Sequence, residues 1–224
     1  MTTGERARRI AMIAAPVGLM TFSLLHTTLS WSDTQHLRSA GSDEWIQHLV
    51  KVQGRWLAAH LGGIALFPLL GMTIWWMLPA RGLVSSISKG AVILYMPLYV
   101  ALDAVLGLGS AILVRYREQL PPPERAGADG ALEALFFQPS AIDWLDQAAS
   151  ISWEIAALSA ALALWRDYGW RVSMPLAAAG WVLSKSHFPP FGVVAGIALG
   201  IAVWQYLLLG RRIGVAHGGV SQVR

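Results

Sequence analysis

Long stretches without a charged side chain dominate this sequence. Residues 10–32, 56–80 and 188–210 contain no Asp, Glu, Lys or Arg. Residues 90–114 hold only Asp103, and residues 147–165 hold only Glu154. About 20 apolar residues in helical form cross the roughly 30 Å of hydrocarbon in a bilayer. Each of these five stretches is therefore predicted to be a membrane-spanning helix. A sixth, near residues 169–186, is interrupted by Arg171, which leaves only 172–184 uncharged. An Arg so close to a helix end lays its stem along apolar surface and reaches the interface with its head.

The predicted fold is all-α: a polytopic membrane protein forming one integral membrane domain over residues 1–224. Its six spans lie near 10–30, 57–79, 90–114, 142–165, 169–186 and 190–210. The charged residues support the even number. With six crossings, one side holds Arg6, Arg8, Arg9, Arg81, Lys89, Arg166, Arg171, Arg211, Arg212 and Arg224 against only Glu5 and Asp167. The other side is richer in acids than bases. By the positive-inside rule the first side is cytoplasmic, which puts both termini inside and the chain in the plasma (inner) membrane. The basic start resembles a signal peptide, but its apolar run is long and no A-x-A site follows, so it reads as an uncleaved first span. Pro16, Pro68, Pro97 and Pro175 are expected to kink their helices.

Two outer loops are long. In the first, Trp45, Leu49, Val52 and Trp56 recur at i, i+4, i+7 and i+11, with polar residues between them. That is the pattern of an amphipathic interfacial helix leading into span two. The second opens on Pro121-Pro122-Pro123, read as a stiff polyproline segment. It continues to a short apolar helix at 131–137, which suits either a lid over a pocket or an interfacial anchor. Ser140 and Asp143 have the spacing of a capping box at the start of span four.

Composition agrees with this class. The chain is 55% hydrophobic and 13% charged, against about 25% charged in a typical soluble domain. It has no Cys, which excludes thiol, disulfide and Fe–S chemistry. The net charge of +4 is accounted for by orientation and calls for no nucleic-acid partner. Trp31, Trp45, Trp56, Trp144, Trp165 and Trp170 fall near predicted span ends, as an interfacial belt requires. Gly192, Gly196 and Gly200 form a small-xxx-small series that predicts a packing seam on span six.

Only Asp103 and Glu154 sit deep within spans. An intramembrane carboxylate is costly and marks a functional site. Helical rise places each roughly 16 Å below the outer end of its span. Burial raises a carboxylate's pKa and a neighbouring carboxylate splits the pair, so the two suit general acid and base work. On span four, Asp143, Gln147, Ser150 and Glu154 share a narrow wedge. On span three, Tyr99, Asp103 and Ser110 share a face. The expected function is a membrane enzyme acting by proton transfer on an apolar lipid or isoprenoid-like molecule, an isomerase or cyclase. Its pocket would open outward, with Asp103 and Glu154 catalytic and Tyr99, Phe67, Trp75, Gln147, Ser150 and Trp153 lining it. No cofactor is needed for that chemistry.

His26, His60 and His187 sit at compatible depths near the outer surface, on three different parts of the chain. Converging, they suit zinc with an open position, with Asp146 or Glu154 as a further ligand, or two of them a haem. A metal- or haem-binding redox protein is thus a second reading. A small proton- or cation-coupled carrier is a third, and a purely structural subunit a fourth. His36, His48 and His217 are expected in solvated loops or the tail. Lys185 reads as an interfacial anchor.

Overall fold

The computed structural model describes residues 2–26, 42–137 and 141–218; for 42, 141 and 211–218 it describes the backbone alone. The described residues are helical apart from short turns. They form α1 (Thr3–Leu25), α2 (Ser42–Met77), α3 (Leu83–Leu102), α4 (Ser110–Gln119), α5 (Ala126–Phe136), α6 (Ala141–Tyr168), α7 (Trp170–Lys185) and α8 (Phe191–Gly218). Five helical rods among them are long and apolar enough to cross a membrane, as a multi-pass membrane protein requires. The short α7 is not one of the five: its 16 residues rise about 24 Å. Trp31 and Ser140, and the side chain of His217, lie outside the described residues.

The long helices and α7 close into a ring. Each of α1, α2, α3, α6, α7 and α8 packs on the next, and α8 returns to α1. Lipid tails are as apolar as Leu, so close packing between small residues holds such a ring together. Ala149, Ala156, Ala157 and Ala160 of α6 are buried in one core with Ala179 of α7 and Ala195 and Ala202 of α8. Large apolar residues such as Leu61, Leu94, Ile151, Leu162 and Ile201 face outward. The glycine seam on α8 is present: a Cβ on Gly196 would meet Met20 and the Pro16 carbonyl of α1.

Two rods overshoot the bilayer. The 36 residues of α2 are one continuous helix, so the amphipathic segment and span two form a single element about 54 Å long. α3 and α4 likewise form one rod of 37 residues, joined by the π-helical turn Asp103–Gly109. Beyond the ring, α2, α4 and α5 build a small head with its own core of Trp45, Ile46, Leu49, Val52, Trp56, Val114 and Leu132. Trp45 and Trp56 are therefore core residues, only 3% and 5% exposed, and not part of an interfacial belt. The helix expected at 131–137 starts earlier, at Ala126. Of the three consecutive prolines, Pro121 alone keeps the extended conformation, and Pro122–Glu124 form a 3₁₀ turn. Arg117 ties the head together by bonding both carboxylate oxygens of Asp129 and, at 2.6 Å, Glu118.

Candidate functional site

The π-helical turn sets the geometry. A π turn holds one more residue than an α turn and leaves carbonyls short of their usual partners. Here Trp56 Nε1 donates to Gly107 O and Ser110 Oγ, both at 3.0 Å, and Ser110 Oγ in turn donates to the Leu106 carbonyl. The rod is thus bound to α2 at the level of His60. The approach depends on two glycines. A Cβ on Gly107 would lie 2.2 Å from His60 Cγ, and one on Gly63 would lie 2.6 Å from Asp103 Oδ2.

Asp103 and His60 meet across this contact. Asp103 Oδ1 and His60 Nδ1 are 2.5 Å apart, with both side chains almost fully buried. On its far side, His60 Nε2 stands 3.5 Å from His26 Nε2. His26 Nδ1 donates to the Phe22 carbonyl at 2.8 Å, which places the proton of a neutral His26 on Nδ1 and leaves Nε2 bare. His187 joins from the α7–α8 turn, its ring centroid 5.5 Å from that of His26. Its Nδ1 is 3.2 Å from the Tyr99 hydroxyl. Burial, with His26 and His60 close by, holds the His187 pKa well below its ordinary value, so the ring is neutral. Phe22 packs against all three imidazoles, and Trp56 lies 4.5 Å from the His60 ring. The three histidines converge as their depths suggest.

A cavity of about 180 Å³ opens beside this cluster, between the ring and the head. Its polar walls are His60, Tyr99, Asp103, Asp146, Ser150, Ser184, Lys185, Ser186 and His187. Its apolar walls are Trp45, Trp56 and Phe136 from the head side, with Leu102, Leu106, Leu183 and Phe188. The helix at 126–136 thus acts as a roof, through Phe136.

The expected residues divide. Asp103, Tyr99, Ser150, His60 and His187 line the cavity, and His26 lies one hydrogen-bond length behind His60. Phe67 is buried under the cavity, stacked on Tyr99 with centroids 4.0 Å apart. Trp153 is buried one layer further along, against Tyr95. Gln147 is exposed, Trp75 is half-buried near the opposite end of the ring beneath Lys89, and neither lines the cavity. Glu154 is half-buried and also outside the lining, while Asp146, two turns earlier on α6, is in it. Asp146 and Ser150 are spaced i, i+4, a signal that the 143/147/150/154 wedge obscured. His48 lies on the half-buried face of α2 in place of a loop. His36 lies outside the described residues.

Among the described residues no three His, Asp or Glu side chains already surround a single point as metal ligands would. Two buried polar atoms of the cluster, Asp103 Oδ2 and His187 Nε2, have no hydrogen-bond partner among the described residues.

Comparison with known proteins yields no match. No family model, no curated protein and no solved structure resembles the chain. The function must be argued from this geometry.

Proposed function

We propose that this protein is a membrane-embedded isomerase or cyclase that acts on an apolar, lipid- or isoprenoid-like molecule by proton transfer. The observation that carries the reading is the buried Asp103–His60 contact in the wall of a cavity whose remaining lining is half aromatic or aliphatic. A carboxyl and an imidazole at this distance share a proton that passes to a substrate atom without a free ion in the apolar phase. The faces of Trp56 and Tyr99 suit the positive charge that develops when an alkene is protonated. Asp146, across the cavity near Tyr99, takes the role of second proton carrier in place of Glu154. Rearrangement of this kind is redox-neutral and needs neither thiol nor nucleotide.

The reading includes a topology. α7 packs along both α6 and α8 as a full member of the ring, which supports counting it as the sixth span despite its length. A short span is accommodated by local thinning of the bilayer. Both termini then lie on the cytoplasmic side of the plasma (inner) membrane, and the head and cavity face outward. Because the chain has no Cys, single-cysteine labelling reads this directly. Glu133→Cys should react with an impermeant maleimide in intact cells and Gly4→Cys only after lysis; the reverse pattern overturns the orientation.

The activity is tested without knowing the substrate. Purified protein in nanodiscs is incubated with total lipid extract in deuterated buffer, and the lipids are surveyed by mass spectrometry. Deuterium gain in an apolar lipid, lost in folded Asp103→Asn, is the expected result. If no lipid gains deuterium above a protein-free blank, the acid–base reading falls.

A further inference from the structure

We infer that His26, His60 and His187 together hold one divalent transition-metal ion, zinc being the expected one, through their three Nε2 atoms. The ring nitrogens divide in the same way in all three residues. Each Nδ1 is engaged: on the Phe22 carbonyl at 2.8 Å, on Asp103 Oδ1 at 2.5 Å and on the Tyr99 hydroxyl at 3.2 Å. No Nε2 has a protein partner among the described residues outside the cluster itself. A ligating histidine almost always anchors its second nitrogen on a carboxylate, carbonyl or similar group, which fixes the tautomer and aims the other nitrogen at the ion. Here a carboxylate, a backbone carbonyl and a phenol each serve one ring.

The spacing agrees. Zn–N bonds of 2.0–2.1 Å put two nitrogens of a tetrahedral ion about 3.3 Å apart. His26 Nε2 and His60 Nε2 are 3.5 Å apart, so two ligands stand nearly at that edge length. His187 supplies the third by turning its ring about the Tyr99 contact, which must shift with it, from a centroid 5.5 Å from that of His26. A further observation favours a cation: the second carboxylate oxygen of Asp103 is buried without a hydrogen-bond partner among the described residues. Three imidazoles with an open fourth position form a donor set that suits zinc, and His60 and His187 line the cavity, which leaves that position toward it. Asp103 then acts as a positioning residue on His60.

This inference rests on the acid–base reading only for what the ion does: a bound water, its pKa lowered by the metal, becomes the group that gives and takes the substrate's proton. The ligand geometry stands independently of it.

The test uses tag-free, full-length protein in nanodiscs, stripped with a chelator and reloaded with cobalt(II) or zinc(II). The wild type should take up one ion per chain, show the intense visible bands of four-coordinate cobalt, and give an imidazole-rich shell by X-ray absorption. His26→Ala and His60→Ala should lose the stoichiometric ion, and His48→Ala should keep it. Asp103→Asn should weaken affinity roughly 10–100-fold without abolishing it. The X-ray measurement on wild type keeps the test decisive even where a variant misfolds: an oxygen-only shell overturns the inference, as does equal uptake by the folded His26→Ala protein. Stripped protein that still incorporates deuterium into lipid overturns the ion's part in proton transfer and spares the acid–base reading. A stoichiometric ion with no deuterium incorporation does the opposite.

Discussion

Gly107 offers the most direct test of how the site is built. Replacing its hydrogen by a methyl group puts a carbon 2.2 Å from His60 Cγ and 2.3 Å from Nδ1. Ordinary contact requires more than an ångström of further separation. His60 is buried between Trp56, His26 and Asp103, so its ring has little room to yield. Overpacking of this kind costs about 1–3 kcal/mol. For a chain of this size each kcal/mol lowers Tm by about 2–4 °C, so the expected fall is roughly 2–12 °C. Gly109→Ala is the matched control. It lies on the same π turn and receives the same gain in helix propensity, but its new carbon would meet only the Ala104 carbonyl at 3.5 Å. The assay is thermal unfolding of both variants in one detergent, followed by metal loading and deuterium incorporation. Gly107→Ala should be the less stable by 1 kcal/mol or more on that estimate, and should lose both functional readouts. Equal stability of the two would refute the close approach of α2 and the π turn.

Other outcomes follow from other parts of the structure. Arg117→Met removes the clamp on Asp129 and Glu118, so amides of α5 should exchange with deuterated water about tenfold faster, equivalent to about 1.4 kcal/mol; unchanged exchange in 126–136 would show that the roof is held by packing alone. Gly192→Ala should destabilise the fold strongly, because its Cβ would stand 2.2 Å from the His187 carbonyl, while Gly200→Ala, with nothing nearer than 3.7 Å, should be neutral in the same melting experiment. Asp146→Asn should lower deuterium incorporation at least tenfold and Glu154→Gln should stay within about twofold, on the usual 10²–10⁴ contribution of a positioned acid or base; the opposite ranking would return the second carboxylate role to Glu154.

Much of this architecture was legible because lipid leaves few options for backbone and charge. Uncharged runs marked the long apolar helices, and Asp103, the one fully buried carboxylate among the described residues, lies in the wall of the candidate site. The wedge on α6 misled for a physical reason. A polar stripe must turn inward only where lipid surrounds the helix, and Asp143 and Gln147 are exposed near the start of α6. Further along, small residues decide the buried face: Ala149, Ala156, Ala157 and Ala160 allow close packing, and the cavity is lined from α6 by Ser150 and by Asp146, which is exposed like its neighbours. Trp45 and Trp56 misled in a related way, since a Trp near a span end reads as a belt residue unless a further core lies beyond the span. The π turn left no mark beyond Gly107 and Gly109, because its cause is the fit between two rods. The partnering of each Nδ1 was equally invisible, as Asp103 and His60 are 43 positions apart in sequence.

The continuity of α2 and of the α3–α4 rod gives the cavity a direction of access. Two of the three helices above it are extensions of ring helices, with no loop where they leave the ring. Lifting either would bend a helix or tilt an entire rod. α5 alone hangs from turns at both ends, and it carries Phe136 over the cavity. On the head side, a molecule too large for the present opening therefore passes α5 at less cost than either rod.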